Sequence, residues 1–415
     1  MRVFIFITIS MLFFSCKKEK SIPKEGPWRA ALTIDDDHEI PFLVTFVNQG
    51  KLTIINGEER IDVTDITLFD KDSIYIEHPV FEGIFKGKYS NKYISGEFIK
   101  PSLDRVMPFY MVFGNDARFK PTSAPDVMIS GSWETVFSPN KKSDRYIAKG
   151  IFEQTGNRVT GTFRTTTGDY RYLDGILVND SLKLSTFDGA HAFLFEAKVT
   201  DSTMAGDFYS GNHWKEPFTA TLNNEYELPA TDSLTFLKEG YDSVNFSFND
   251  VDGNTISLSD TRFDNKVVLV QIMGTWCPNC LDETKYFSEF YKKQNPEDFE
   301  IVSLAFEYAK TEESAFKAIN KLKNRLEVPY PILLAQYGTS NKQKANEKLP
   351  MLNHVLSYPT TIFIDKNRKV RRIHTGFNGP ATGNEYTNFV KEFEAFVGGL
   401  IIEEANKSTS ETTNE

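Results

Sequence analysis

Two rhythms of apolar and polar positions divide this chain. Across residues 26–228 apolar side chains alternate with polar ones in short runs such as YIAKGIF, RVTGTF and LKLSTF, and turn-forming strings such as QTGN, VNDS and TTGD interrupt them. Successive side chains of a strand point to opposite faces, so this rhythm predicts antiparallel strands with one buried face. Past residue 244 the rhythm changes. VVLVQIM (267–273) is an unbroken apolar run, which predicts a strand buried on both faces, and residues 281–292 carry helical spacing. Strands are expected at 299–306 and 332–335 around a helix at 312–326. A second helical stretch at 341–349, strands at TIFID (361–365) and 370–374, and a closing helix at 384–397 complete the pattern.

Within the β-rich part the pattern recurs. Gly26-Pro27-Trp28 returns as Gly131-Ser132-Trp133, DSIYI (72–76) as DSLKL (180–184), and SGEF (95–98) as AGDF (205–208). The offsets grow slightly along the chain, as small loop insertions would make them. We therefore expect a duplicated antiparallel β-rich region, with repeats at 26–120 and 121–228, followed by a linker at 229–243 and an α/β domain at 244–402. Residues 403–415 are polar and expected to form a disordered tail.

Composition narrows the functions open to the chain. A net charge of -10 over 415 residues leaves no basic stripe to neutralise phosphates, so no nucleic-acid partner is expected. The 35 phenylalanines alternate with polar residues, as strand faces do, and so supply core. The string Asp35-Asp36-Asp37-His38-Glu39 lacks the alternating ligands of a calcium loop and reads as a solvated turn; His78, His191 and His213 read as isolated surface or packing residues. The glycine-rich GFNGPATG after residue 374 lacks the spacing and lysine of a phosphate loop and reads as a turn. Neither a metal nor a cofactor is called for. At the N-terminus, Arg2, the apolar run 3–14 and Ser15-Cys16 have the layout of a lipoprotein signal, too short to span a bilayer. Cleavage after residue 15 would leave Cys16 acylated and the chain tethered through residues 16–25. The expected location is the cell envelope, lipid-anchored and facing the periplasm or cell exterior, where disulfides form.

The candidate chemistry lies in GTWCPNCLDE (274–283), between the buried strand and the helix. Cys277 and Cys280 are spaced to close a small reversible disulfide. A helix N-terminus offers unpaired N–H groups and positive dipole, which lower a thiol's pKa and make Cys277 the nucleophile; Cys280, one turn in, resolves the mixed disulfide. A zinc knuckle would need four ligands, and Cys16 is the only other cysteine. A four-residue loop removes little unfolded-state entropy, which argues against a purely structural bridge. Asn279 brings neither charge nor imidazole to the pair, so the dithiol is expected to be reducing.

WCPNC after the strand, the lead-in VNFSFNDVDGNTISLSD, the tripeptide Tyr358-Pro359-Thr360 before TIFID and the closing helix occur together and in order. In this the region 244–397 resembles the TlpA-like and ResA-like thiol:disulfide oxidoreductases, extracytoplasmic proteins of thioredoxin fold. The resemblance implies a cis-proline at Pro359 opposite the dithiol, and substrate contacts from Trp276, Tyr358, Pro359 and Thr360. It also implies that Glu283, three residues past Cys280, exchanges protons with the resolving thiol. Asp282 reads instead as a solvated first-turn acid. Where thioredoxins carry a buried aspartate, this chain has Gln271, and where peroxiredoxins carry a threonine ahead of the reactive cysteine it has Gly274. The expected partners are disulfide-containing protein substrates, a membrane electron donor for re-reduction, and the membrane itself through the anchor. Two other functions stay open: oxidase or isomerase chemistry on the same pair, and a binding lipoprotein whose main work lies in the β repeats.

Overall fold

The computed structural model describes residues 22–404, so the signal segment 1–15, Cys16 and all but the start of the 403–415 tail lie outside the described residues. Alternating burial along Lys51–Asn56 or Trp214–Leu222 shows the rhythm read above: every second side chain enters the core.

The first sheet has nine strands in the order Glu59–Val63, Lys51–Asn56, Glu39–Asn48, Gly26–Thr33, Arg105–Phe113, Tyr93–Lys100, Ile84–Tyr89, Ser73–Glu77, Asp65–Phe69. Its two edge strands follow each other in the chain with one residue between, so the sheet curls nearly closed. The second sheet runs Tyr146–Thr155, Gly131–Phe137, Trp214–Leu222, Thr203–Ser210, Ala192–Val199, Ser181–Phe187, Leu173–Val178, Arg158–Thr165, Gly168–Asp169. It closes, because Tyr146–Thr155 also pairs with Arg158–Thr165. In each sheet the first strand sits between the second and the last. Trp28 and Trp133 occupy corresponding places: both are wholly buried, and each indole donates to a carbonyl four residues back, Lys24 or Ile129, at 2.9 Å.

The C-terminal domain is a seven-stranded sheet with α-helices. Val267–Met273 lies between the parallel strand Phe299–Phe306 and the antiparallel strand Thr360–Ile364, and all three are buried along their whole length. Helix Glu312–Leu326 begins with a capping box between Thr311 and Ser314. The closing helix, Asn384–Ile402, runs five residues past its expected end: Gly398-Gly399 are poor helix formers, but burial of Leu400 holds the last turn in place.

The 229–243 segment differs from a free linker. Asp232 pairs with Arg372 (2.7 Å) and His374 (2.8 Å), Thr375 Oγ1 donates to Thr235 Oγ1 (2.9 Å), and Leu237 bridges to Leu352. The segment is laced onto the C-terminal domain. The three units also pack on one another: Phe187, Leu194 and Tyr209 of the second sheet join the first sheet's core, and Val80 and Phe81 of the first sheet join the core of the C-terminal domain.

Candidate active site

Strand Val267–Met273 delivers the chain through Gly274-Thr275-Trp276 to helix Pro278–Tyr291. Pro278 suits the first helical position, where its missing N–H costs nothing. Cys277 caps the helix, and its Sγ accepts the backbone N–H of Cys280 at 3.1 Å. Cys277 and Cys280 are joined as a disulfide with Cα atoms 5.2 Å apart. Cys280 is fully enclosed and Cys277 is 6% exposed.

The Tyr358–Pro359 peptide is cis and faces the pair. Cys277 Sγ lies 3.5 Å from the Tyr358 carbonyl oxygen. Trp276 donates through Nε1 to the Phe306 carbonyl (2.9 Å), and its ring centroid lies 5.5 Å from those of Tyr358 and Tyr308. Thr360 is enclosed: it sits in a strand paired on both sides, and its hydroxyl donates to the Ser357 carbonyl at 2.9 Å. It shapes the proline loop from within, whereas Tyr358 and Trp276 line the pair directly.

Glu283 is wholly buried one turn beyond Cys280, with one carboxylate oxygen accepting from Gln271 Nε2 (2.8 Å) and the other from Thr361 Oγ1 (2.9 Å). Gln271 is held in turn by Ser303 (2.7 Å) and Thr284. Burial pushes the Glu283 carboxyl up to about 8, and the bonds from Gln271 and Thr361 offset only part of that. A carboxyl that titrates near neutrality one helical turn past Cys280 can hold or release a proton.

Residues 238–389 match the family model described as Redoxin. Thiol-disulfide oxidoreductase ResA of Bacillus subtilis strain 168 is 27% identical over 158 residues, covering 38% of this chain and 79% of that protein. Thiol-disulfide oxidoreductase ResA of Geobacillus kaustophilus is 29% identical over 142 residues, covering 34% and 72%. The chain is a thiol:disulfide oxidoreductase. Among solved structures, the thiol-disulfide oxidoreductase from Bacteroides fragilis aligns with 37% of this chain and 99% of its own at 22% identity and a TM-score of 0.27.

The oxidoreductase holds a second buried acid that the sequence reading missed. Glu307 follows the wholly buried strand Phe299–Phe306, whose C-terminal end lies beside that of Val267–Met273. Its oxygens accept from Thr275 N (2.8 Å) and Thr275 Oγ1 (2.7 Å), and burial pushes its carboxyl up to about 7. Glu307 thus fixes the turn leading into Trp276-Cys277. A charged residue at the exit of a mostly apolar parallel strand, level with the dithiol strand, was the available signal.

Asp282 is not solvated. It is 7% exposed and pairs with Arg171 of the second sheet (3.3 Å) and with Lys285 (3.5 Å). Arg171 also meets Glu59 of the first sheet and Asp188 (3.6 Å). No local pattern around residue 282 announces a partner from so far away in the chain.

Proposed function

We propose that this oxidoreductase is a lipid-anchored, extracytoplasmic reductase of protein disulfides, with Cys277 as nucleophile and Cys280 as resolving thiol. The disulfide-bonded pair at the helix N-terminus, with Cys277 Sγ accepting the Cys280 N–H beside the cis-proline loop, is the observation that carries the reading.

In the reduced protein the Cys277 thiolate attacks one sulfur of a substrate disulfide. A new S–S bond forms, the substrate's own S–S bond breaks, and its departing sulfur leaves as a thiolate that takes up a proton. Cys280, losing its proton to Glu283 in its carboxylate form, which is populated as pH rises toward about 8, then attacks Cys277 Sγ and releases the second substrate sulfur. Two electrons have passed to the substrate, and the chain is left with the Cys277–Cys280 disulfide. A dithiol donor at the membrane must restore it. Trp276, Tyr358 and Pro359 guide the substrate, and Thr360 braces the loop they stand on.

The anchor rests on the sequence around Cys16, outside the described residues; no helix among the described residues is long and apolar enough to cross a membrane. The shared strand order of the two β sheets and the matched Trp28 and Trp133 support their origin as a duplication, with units at 26–120, 121–228 and 244–402.

Trapping tests the roles. Cys280→Ser should accumulate covalent adducts through Cys277 in cells, because nothing remains to resolve the mixed disulfide, whereas Cys277→Ser should accumulate few. Equal adducts from both variants would contradict the assignment.

A further inference from the structure

The dithiol is roofed by the chain's own β region. The turn between Arg158–Thr165 and Gly168–Asp169 reaches from the second sheet onto the active-site loops. Ser357 Oγ, next to the cis-proline dipeptide, donates to the Thr167 carbonyl at 3.2 Å. Gly379 N donates to Asp169 Oδ2 at 2.6 Å. A Cβ at Gly168 would stand 2.3 Å from Nδ2 of Asn279, the residue between the two cysteines' Pro278 and Cys280, and a Cβ at Gly376 would stand 2.6 Å from the Thr167 carbonyl carbon. Backbone therefore lies against the motif where side chains would normally keep it away. Val80 and Phe81, in the loop between Ser73–Glu77 and Ile84–Tyr89, join the core of the C-terminal domain, to which Cys277 and Cys280 also belong. Under this cover Cys277, Asn279, Ser357 and Tyr358 are each less than a tenth exposed.

A mixed disulfide needs a second chain at Cys277 Sγ, so a sulfur enclosed to this degree is out of reach of a folded partner. The cover is set for local release. The 165–169 turn meets the motif through two hydrogen bonds and glycine approaches, contacts that a short turn can give up, while the buried Arg171–Asp282 pair (3.3 Å) keeps the second sheet beside the active-site helix. What the turn offers is one backbone carbonyl, that of Thr167, to the proline loop and one carboxylate oxygen, that of Asp169, to Gly379 N. An incoming extended segment could satisfy the same groups.

Building on the thiol-exchange reading of this site, we propose that the 165–169 turn is a substrate-selecting lid. Docked, it admits small disulfides to Cys277; an extended, flexible segment bearing a disulfide displaces it by taking over the contacts at Ser357 and Gly379, whereas a folded surface cannot. The substrate class is then unfolded or loop-borne disulfides.

The test uses the full chain, reduced, with labelling at Cys277 read by peptide mass spectrometry. Iodoacetamide and a polyethylene-glycol maleimide serve as small and large probes. In the wild type the large probe should react far more slowly, relative to the small one, than it does in urea. Asp169→Ala, which removes the acceptor of Gly379 N, and Gly168→Val, which forces the turn off Asn279, should each raise the large-to-small labelling ratio by about tenfold. Both should also raise the rate on folded disulfide proteins relative to oxidised glutathione. A wild-type ratio equal to that in urea, or ratios unmoved in both variants, would overturn the lid. Labelling does not depend on turnover, so failure of exchange with every disulfide in every variant would count against the thiol-exchange reading separately.

Discussion

Glu283 carries a proton that the unfolded chain would have surrendered. Its ordinary value is 4.5, and burial raises it to about 8 in the folded protein. Between those values the unfolded state binds fewer protons than the folded one. The stabilisation is therefore complete below the lower value and is lost as pH rises through the upper one, with a slope approaching about 1.4 kcal/mol per pH unit. Glu283→Gln keeps the hydrogen-bonding volume beside Gln271 and Thr361 but titrates nothing. Denaturant midpoints measured across that window should fall with pH more steeply in the wild type than in the mutant. The mutant's turnover should also depend on pH differently in the same range, keeping only what Glu307 and the thiols contribute. Identical slopes and profiles would mean that the carboxyl is solvated and plays no part in proton exchange.

At the scale of elements, much of the C-terminal domain could be read from local pattern alone. Helix Glu312–Leu326 falls where its spacing placed it, because that signal is contained within a few turns of chain, and the structure adds the Thr311 cap. The active-site helix starts three residues earlier than its apolar spacing suggested, since Pro278 and Asn279 are read as turn residues until Cys277 is recognised as their cap. The 229–243 segment misled for the opposite reason: its anchors, Arg372, His374 and Thr375, lie far along the chain. Those contacts have a cost if lost. A fragment of residues 229–404 should be more stable than one of residues 244–404 by about 1–2 kcal/mol, reflecting one buried hydrogen bond at about 1 kcal/mol and exposed ion pairs worth less. Equal urea midpoints for the two fragments would return the segment to the role of a passive linker.

Across the whole molecule, the sequence read two sheets and a redox domain but not their mutual packing. Arg171 shows why: Glu59, Asp188 and Asp282 converge on it from three separate stretches, and none of these positions carries a local sign of the others. Burial works against the Arg171 charge, yet the surrounding carboxylates hold its pKa above the ordinary value. An ion cluster enclosed to this degree fixes the relative position of the domains more than it adds to stability. Placement in the cell is a separate question answered at the other end of the chain. Cys16→Ser should release the protein from membranes, and continued sedimentation with them would contradict lipidation.

The central claim, that Cys277 and Cys280 form one reversible couple poised for reduction, is met most directly by equilibrating the full chain in glutathione buffers and counting the oxidised fraction. Neither charge nor imidazole stands between the cysteines: only Pro278 and Asn279 do, and the Asn279 amide donates to the Phe377 carbonyl at 3.0 Å. The account predicts a single two-electron transition near the thioredoxin value, about -270 mV. A midpoint near about -120 mV, or cysteines that do not interconvert as a pair, would contradict it.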